Sequence, residues 1–221
     1  MPQGSAREGS AEHEGAFVNI ALVDYGRGNL RSVGKALESL GAGVRLVADG
    51  GQFAGCDALV LPGVGAFGDA MQNLRERGLV EPLRAWVRAG QPFLGICLGY
   101  QLLFERSEES PGADGLGLVG GGVVKFPPSV GKIPHMGWNN VTVSEPGRDL
   151  FAGSGAGWFY HVHSYYPAPA DPTLAACWTD YNGTRFASGI VSGRLAAFQF
   201  HPEKSQAGGL RLLANFLRLA A

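Results

Sequence analysis

No apolar run in the chain approaches the roughly twenty residues that a membrane-spanning helix requires, which excludes an ordinary helical span. The first sixteen residues, MPQGSAREGSAEHEGA, lack the apolar stretch of a secretory signal and read as a flexible extension, residues 1–16. Cysteine is scarce. Cys56, Cys97 and Cys177 stand far apart and form no CxxC pair, which excludes a disulfide framework and a cysteine zinc site. Unpaired thiols suit a reducing, cytoplasmic setting. Excess charge is missing too: the formal net charge is −1, so nothing suggests a nucleic-acid footprint or a membrane-surface patch. There is no internal repeat, and no linker rich in Pro, Gly or Ser divides the chain.

What remains is enough for one full-sized globular domain over residues 17–221. The chain has 221 residues, 45% of them hydrophobic, which suffices for a real core. In the first half, short apolar runs (FVNIALVDY, VRLVA, DALVLPG, PFLGI) alternate with stretches of helical spacing. The latter are GNLRSVGKALESLGA, the segment from Asp69 to Gly90 with Pro82 in the first turn of its second helix, and LGYQLLFERS. That alternation predicts an α/β fold, a mostly parallel central sheet with helices on both faces. The second half reads as strands between Gly, Pro and Asn turns, predicting antiparallel additions before a closing amphipathic helix, AGGLRLLANFLRLAA.

The chemistry centres on GICLGYQ, residues 95–101. Cys97 between two glycines, after a strand and before a helix, has the form of a nucleophile elbow with sulfur as the reacting atom. The glycines let a helix fold back tightly on its strand. Cys97 then lies at the strand's C-terminal end beside a helix N-terminus, which favours thiolate, and the Leu98 amide is a natural oxyanion donor. The alternative is a buried packing thiol.

A nucleophilic cysteine needs a base. Of five histidines, His201 in FQFHPEKS follows an apolar strand-like run, and in extended chain Glu203 projects to the same side. The carboxylate could orient one ring nitrogen and leave the other for Cys97; an ordinary strand-exit turn is the alternative. His161 and His163 in FYHVHSYY share a face, but no third ligand cluster stands out, so no metal is expected there. In LVLPGVGAFGDA, the glycines around Val64 allow a backbone N–H to approach a ligand.

Taken together, PGVG, GICLGYQLLF and HPEKS resemble the class I glutamine amidotransferases with a cysteine–histidine–glutamate triad. DYGRGNLRSV, KIPHMGWNN and YHVHSYY are similar to the glutaminase subunits of imidazole glycerol phosphate synthase. Tyr100, where methionine is common, and the N-terminal extension are departures; neither touches the triad.

The resemblance implies a flavodoxin-like fold and glutamine hydrolysis through a cysteine thioester, with Cys97 as nucleophile, His201 as acid and base, and Glu203 as its orienter. It implies Val64 as the second oxyanion donor beside Leu98, and Gly63, Gln101, His163, Ser164 and Tyr165 as the glutamine pocket. It further implies a heterodimer with a cyclase that receives the ammonia, with Trp138, Asn139 and Lys204 near the contact, and no cofactor. Two alternatives stay open: a glutaminase subunit of another synthase, or a non-catalytic assembly subunit.

Overall fold

A computed structural model describes residues 17–154 and 157–221; the N-terminal extension read from residues 1–16 lies outside the described residues. The first half runs β1 (Asn19–Val23), α1 (Leu30–Glu38), β2 (Gly43–Val47), β3 (Ala58–Gly63), α2 (Phe67–Glu76), α3 (Val80–Arg88), β4 (Phe93–Cys97) and α4 (Leu98–Gln101). The second half adds β5 (Arg106–Ser107), β6 (Gly121–Lys125), β7 (His135–Asn140), β8 (Thr142–Val143), β9 (Trp158–His163) and β10 (Tyr165–Pro169). It closes with β11 (Ala175–Tyr181), β12 (Thr184–Ser192), β13 (Leu195–Phe198) and α5 (Gln206–Ala220).

Eight strands form one sheet in the order β2-β1-β3-β4-β13-β12-β11-β8. The five from β2 to β13 are parallel, and β12, β11 and β8 continue antiparallel. The two-residue period of a strand sorts the core. Ile20 and Leu22 of β1 join Val60, Leu94 and Ile96 under α1 and α5, while Ala21 and Val23 join Leu59, Leu61 and Phe93 under α2 and α3. Strand order reverses direction at β1, and crevices of open α/β sheets lie at the carboxyl ends beside such a switch. Tyr25, Gly63 and Cys97 stand at the carboxyl ends of β1, β3 and β4, three neighbouring strands.

Three expectations change. LGYQLLFERS predicts a full helix, but α4 is a single turn. Leu102, Leu103 and Phe104 are all fully buried, and their carbonyls accept from Leu116, Gly117, Leu118 and Val119, so the following loop takes the acceptors a longer helix would use. WFYHVHSYYP reads as one strand but breaks at Ser164: β9 pairs with β7, and β10 pairs with β6. Finally, RLAAFQFHPE, which reads among the antiparallel additions, forms β13, antiparallel to β12 yet parallel to β4, so it is the fifth and last parallel strand and joins the two parts of the eight-stranded sheet.

Candidate active site

The elbow forms as its glycines require. Cys97 ends β4 with φ +56°, a left-handed conformation that costs a residue with a side chain roughly 1–3 kcal/mol and recurs at functional turns. A Cβ on Gly99 would stand 1.8 Å from the Leu61 carbonyl oxygen, so only glycine lets α4 pack this closely on β3. Parallel pairing of β4 with β13 (Ile96 opposite Phe198) carries the chain after β13 to the same sheet end as Cys97.

There, His201 Nδ1 and Glu203 Oε1 are 2.9 Å apart, with both side chains almost completely buried. The pairing predicted for an extended chain is achieved differently. β13 ends at Phe198, and a 3₁₀ turn over Pro202–Lys204, with His201 at its N-cap, folds the carboxylate back under the ring. The ring's outer nitrogen, Nε2, is buried and has no hydrogen-bond partner. Burial alone would push the imidazole toward neutrality. The Cys97 sulfur and the Glu203 carboxylate outweigh it and raise the ring to about 10, which favours its charged form.

A cavity of about 410 Å³ opens beside the thiol, and its lining includes Val64, Cys97, Leu98, Gln101, His163 and Glu109. Ser164 and Tyr165 also line it, whereas Gly63 is buried behind the wall. Gln101 is held firmly: Nε2 donates to the Tyr165 carbonyl and to Gln199 Oε1, both at 3.0 Å. Gln199 is a residue the sequence reading missed. It is fully buried, and its Nε2 lies 3.6 Å from Cys97 Sγ. An amide inside the apolar run FQF was the available signal. Glu109 was also missed; its carboxylate accepts from the Phe67 amide at 2.7 Å and shows no motif in sequence.

His161 and His163 gain a third neighbour that spacing did not reveal. One ring nitrogen from each of His135, His161 and His163 lies within 4.8 Å of the others, all buried. His163 Nδ1 sits 2.9 Å from the Tyr165 carbonyl, which assigns that nitrogen the proton; Nε2 then accepts from His161 Nδ1 at 3.2 Å. Burial lowers His135 to about 4 and His163 to about 3, and it lowers His161 well below the usual histidine value, which favours the neutral form of all three rings. The His135 and His161 rings stack at 4.6 Å and 22°. The trio is a neutral polar layer behind the cavity.

Of the residues assigned to a partner contact, Trp138 is 43% exposed and Met136 and Trp158 are more so, which makes the outer face of β7 and β9 apolar. The Asn139 side chain is held within the fold: its Nδ2 donates to the Asp180 carbonyl and faces His135, and its Oδ1 accepts from the Asn140 amide. Lys204 is exposed, with Nζ 5.9 Å from the Tyr160 ring centre.

The profile of a family described as Glutamine amidotransferase class-I matches residues 21–220. The imidazole glycerol phosphate synthase subunit HisH of Rhodopirellula baltica is 50% identical over 198 residues, covering 89% of this chain and 96% of the relative. The HisH subunit of Methylococcus capsulatus is 50% identical over 210 residues, covering 90% and 96%. Among solved structures, that of PurLQS from Thermotoga maritima superposes with a TM-score of 0.72 at 20% identity, covering 91% of this chain and 98% of its own, a likeness of fold.

Proposed function

Because the chain belongs to the class I glutamine amidotransferase family, as a glutamine-hydrolysing HisH subunit of imidazole glycerol phosphate synthase in histidine biosynthesis, we propose that Cys97, His201 and Glu203 carry its chemistry. The observation that supports this best is the buried His201–Glu203 contact at 2.9 Å on a ring whose other nitrogen is free beside a strained, cavity-lining cysteine.

In this reading glutamine enters the 410 Å³ cavity with its carboxamide at Cys97. The thiolate attacks the amide carbon, and the tetrahedral oxyanion is met by the backbone amides of Leu98 and Val64. His201 delivers its proton to the departing ammonia, leaving a glutamyl thioester. The now neutral imidazole takes a proton from water as it attacks that thioester, releasing glutamate and restoring the pair. Glu203 holds the ring and stabilises its charged form. Gln101, His163, Ser164 and Tyr165 orient the amino-acid end of the substrate, while Gly63, behind the cavity wall, supplies the carbonyl of the peptide unit whose N–H belongs to Val64. Neither a metal nor a cofactor takes part in these steps.

The relatives are named as subunits of a synthase, so a partner subunit belongs to the reading. We take that partner to be the cyclase, bound as a heterodimer, receiving ammonia and joining it to a ribonucleotide to yield imidazole glycerol phosphate and an aminoimidazole carboxamide ribotide. The exposed apolar face around Trp138 supports a docking role, with Lys204 beside it; Asn139 contributes by holding β7 in place. A reduced Cys97 suits a cytoplasmic setting, and no helix among the described residues is long and apolar enough to cross a membrane. Residues 17–221 act as one domain in this account.

The test is glutamate release with the cyclase and its nucleotide substrate, and without them. Wild-type protein should hydrolyse glutamine faster in the complex, and Cys97→Ala should abolish release. Unchanged release by Cys97→Ala would overturn the assignment.

A further inference from the structure

Tyr25 belongs to no part of the chemistry described so far, yet it ends among it. It follows β1, the strand beside β3, and its side chain is fully buried. Its hydroxyl has no hydrogen-bond partner, a state that buried polar groups ordinarily avoid. A Cβ built on Gly63 would stand 2.4 Å from the Tyr25 oxygen, 2.8 Å from Leu98 Cβ and 3.0 Å from the Gly99 nitrogen. The phenol therefore reaches the seam between the PGVG turn and the Cys97 elbow. Burial first, and the Cys97 charge second, raise its pKa, so it remains a donor at any working pH.

A peptide unit has two ends. When the Val64 N–H points at an oxyanion, the Gly63 carbonyl of the same unit points the opposite way. Gly63 is buried, and a carbonyl directed into protein needs a donor. The described residues contain five buried polar side-chain atoms without partners; four belong to His135, His161, His201 and Glu203, and the fifth is the Tyr25 hydroxyl against Gly63.

We propose that Tyr25 is a positioning residue of the oxyanion hole, its hydroxyl donating to the Gly63 carbonyl and so holding the Val64 amide toward the tetrahedral intermediate. This rests on the reading of Val64 as an oxyanion donor. The unpartnered hydroxyl is then a bond kept for one orientation of the peptide, and the missing side chain at Gly63 gives the phenol its access.

The experiment compares wild type, Tyr25→Phe and Val64→Pro, each full-length and in complex with the cyclase, by glutamine-hydrolysis kinetics and by Tm. Tyr25→Phe should lower kcat roughly tenfold, the worth of one hydrogen bond, with KM unchanged. Its Tm should equal or exceed that of wild type, because the substitution removes a hydroxyl that has no partner. A packing role would do the reverse, lowering Tm and sparing kcat, and that result overturns the proposal. Val64→Pro deletes the amide itself. If that variant folds and turns over like wild type, the oxyanion reading falls and this proposal with it. If it folds without activity while Tyr25→Phe matches wild type, only the role of Tyr25 is refuted.

Discussion

Gln199 Nε2 lies 3.6 Å from Cys97 Sγ while Gln199 Oε1 accepts from Gln101 Nε2, so one fully buried amide joins the Cys97 thiol to the Gln101 wall of the cavity. The Gln101 contact fixes which way that amide faces, so that its N–H₂ end is the one beside the sulfur. Gln199→Leu keeps the volume and removes both contacts. It should reduce kcat/KM for glutamine about tenfold, in keeping with loss of one or two buried hydrogen bonds. Steady-state kinetics with wild-type values would show that the amide merely fills space.

Neutralising the carboxylate isolates its electrical contribution. Glu203→Gln preserves the turn but removes the charge facing His201 Nδ1, and kcat should fall by roughly 10²–10⁴, the range of a general acid–base. His201 in the fold is raised from 6.5 to about 10, so its stabilisation is present in full below about 6.5 and is lost as pH rises through about 10. The Tm advantage of wild type over Glu203→Gln should therefore be largest near neutrality and below, and narrow through that upper range. A constant difference across this range would contradict the charged pair.

The histidine layer carries the opposite sign. His135 and His163, lowered to about 4 and about 3, stay neutral in the fold, while in the unfolded chain they take up protons below about 6.5. Stability should fall as pH drops from about 6.5 toward those values, by roughly 2 kcal/mol per imidazole at pH 5. His161→Phe replaces a ring already packed against Phe186 and Phe200 and removes one such group. Urea midpoints at pH 7.5 and pH 5 should show the variant losing less stability than wild type. Equal losses would mean the layer hydrates on acidification.

Trp138 tests the outer face. Trp138→Ala should leave Tm of the isolated chain within a degree or two, since the ring is 43% exposed, yet weaken cyclase binding at least tenfold if it is an interface anchor. Titration calorimetry with unaltered affinity would move the contact elsewhere.

The first half of the fold is legible because β1, β3 and β4 carry buried residues at consecutive positions, as strands covered on both faces do, and because α1 repeats its apolar residues at helical spacing. The elbow was readable for a related reason: glycine at 95 and 99 has no substitute where backbone passes within contact of backbone. Long-range acceptors were not readable. Nothing in LGYQLLF records that the carbonyls of Leu102 and Leu103 are taken by amides more than a dozen residues later, so its pattern predicts a longer helix than the single turn that forms. His135 was hidden likewise, since only the pairing of β7 with β9 sets it opposite His163. His201 and Glu203 were matched correctly on the wrong geometry, because two residues apart brings side chains together in this 3₁₀ turn as well as in a strand.

The place of β13 has a consequence for synthesis. The sheet's middle is completed by residues 195–198, near the end of the chain, with β4 and β12 on either side. Until that strand emerges, β4 lacks a neighbour on one edge and Cys97 lacks its histidine altogether. A chain still on the ribosome thus holds Cys97 before His201 has been made, and the two sides of the cavity meet only when β13 takes its place beside β4. On the reading proposed above, the two side chains that would share the chemistry are thus brought together only once residues 195–198 have paired with β4.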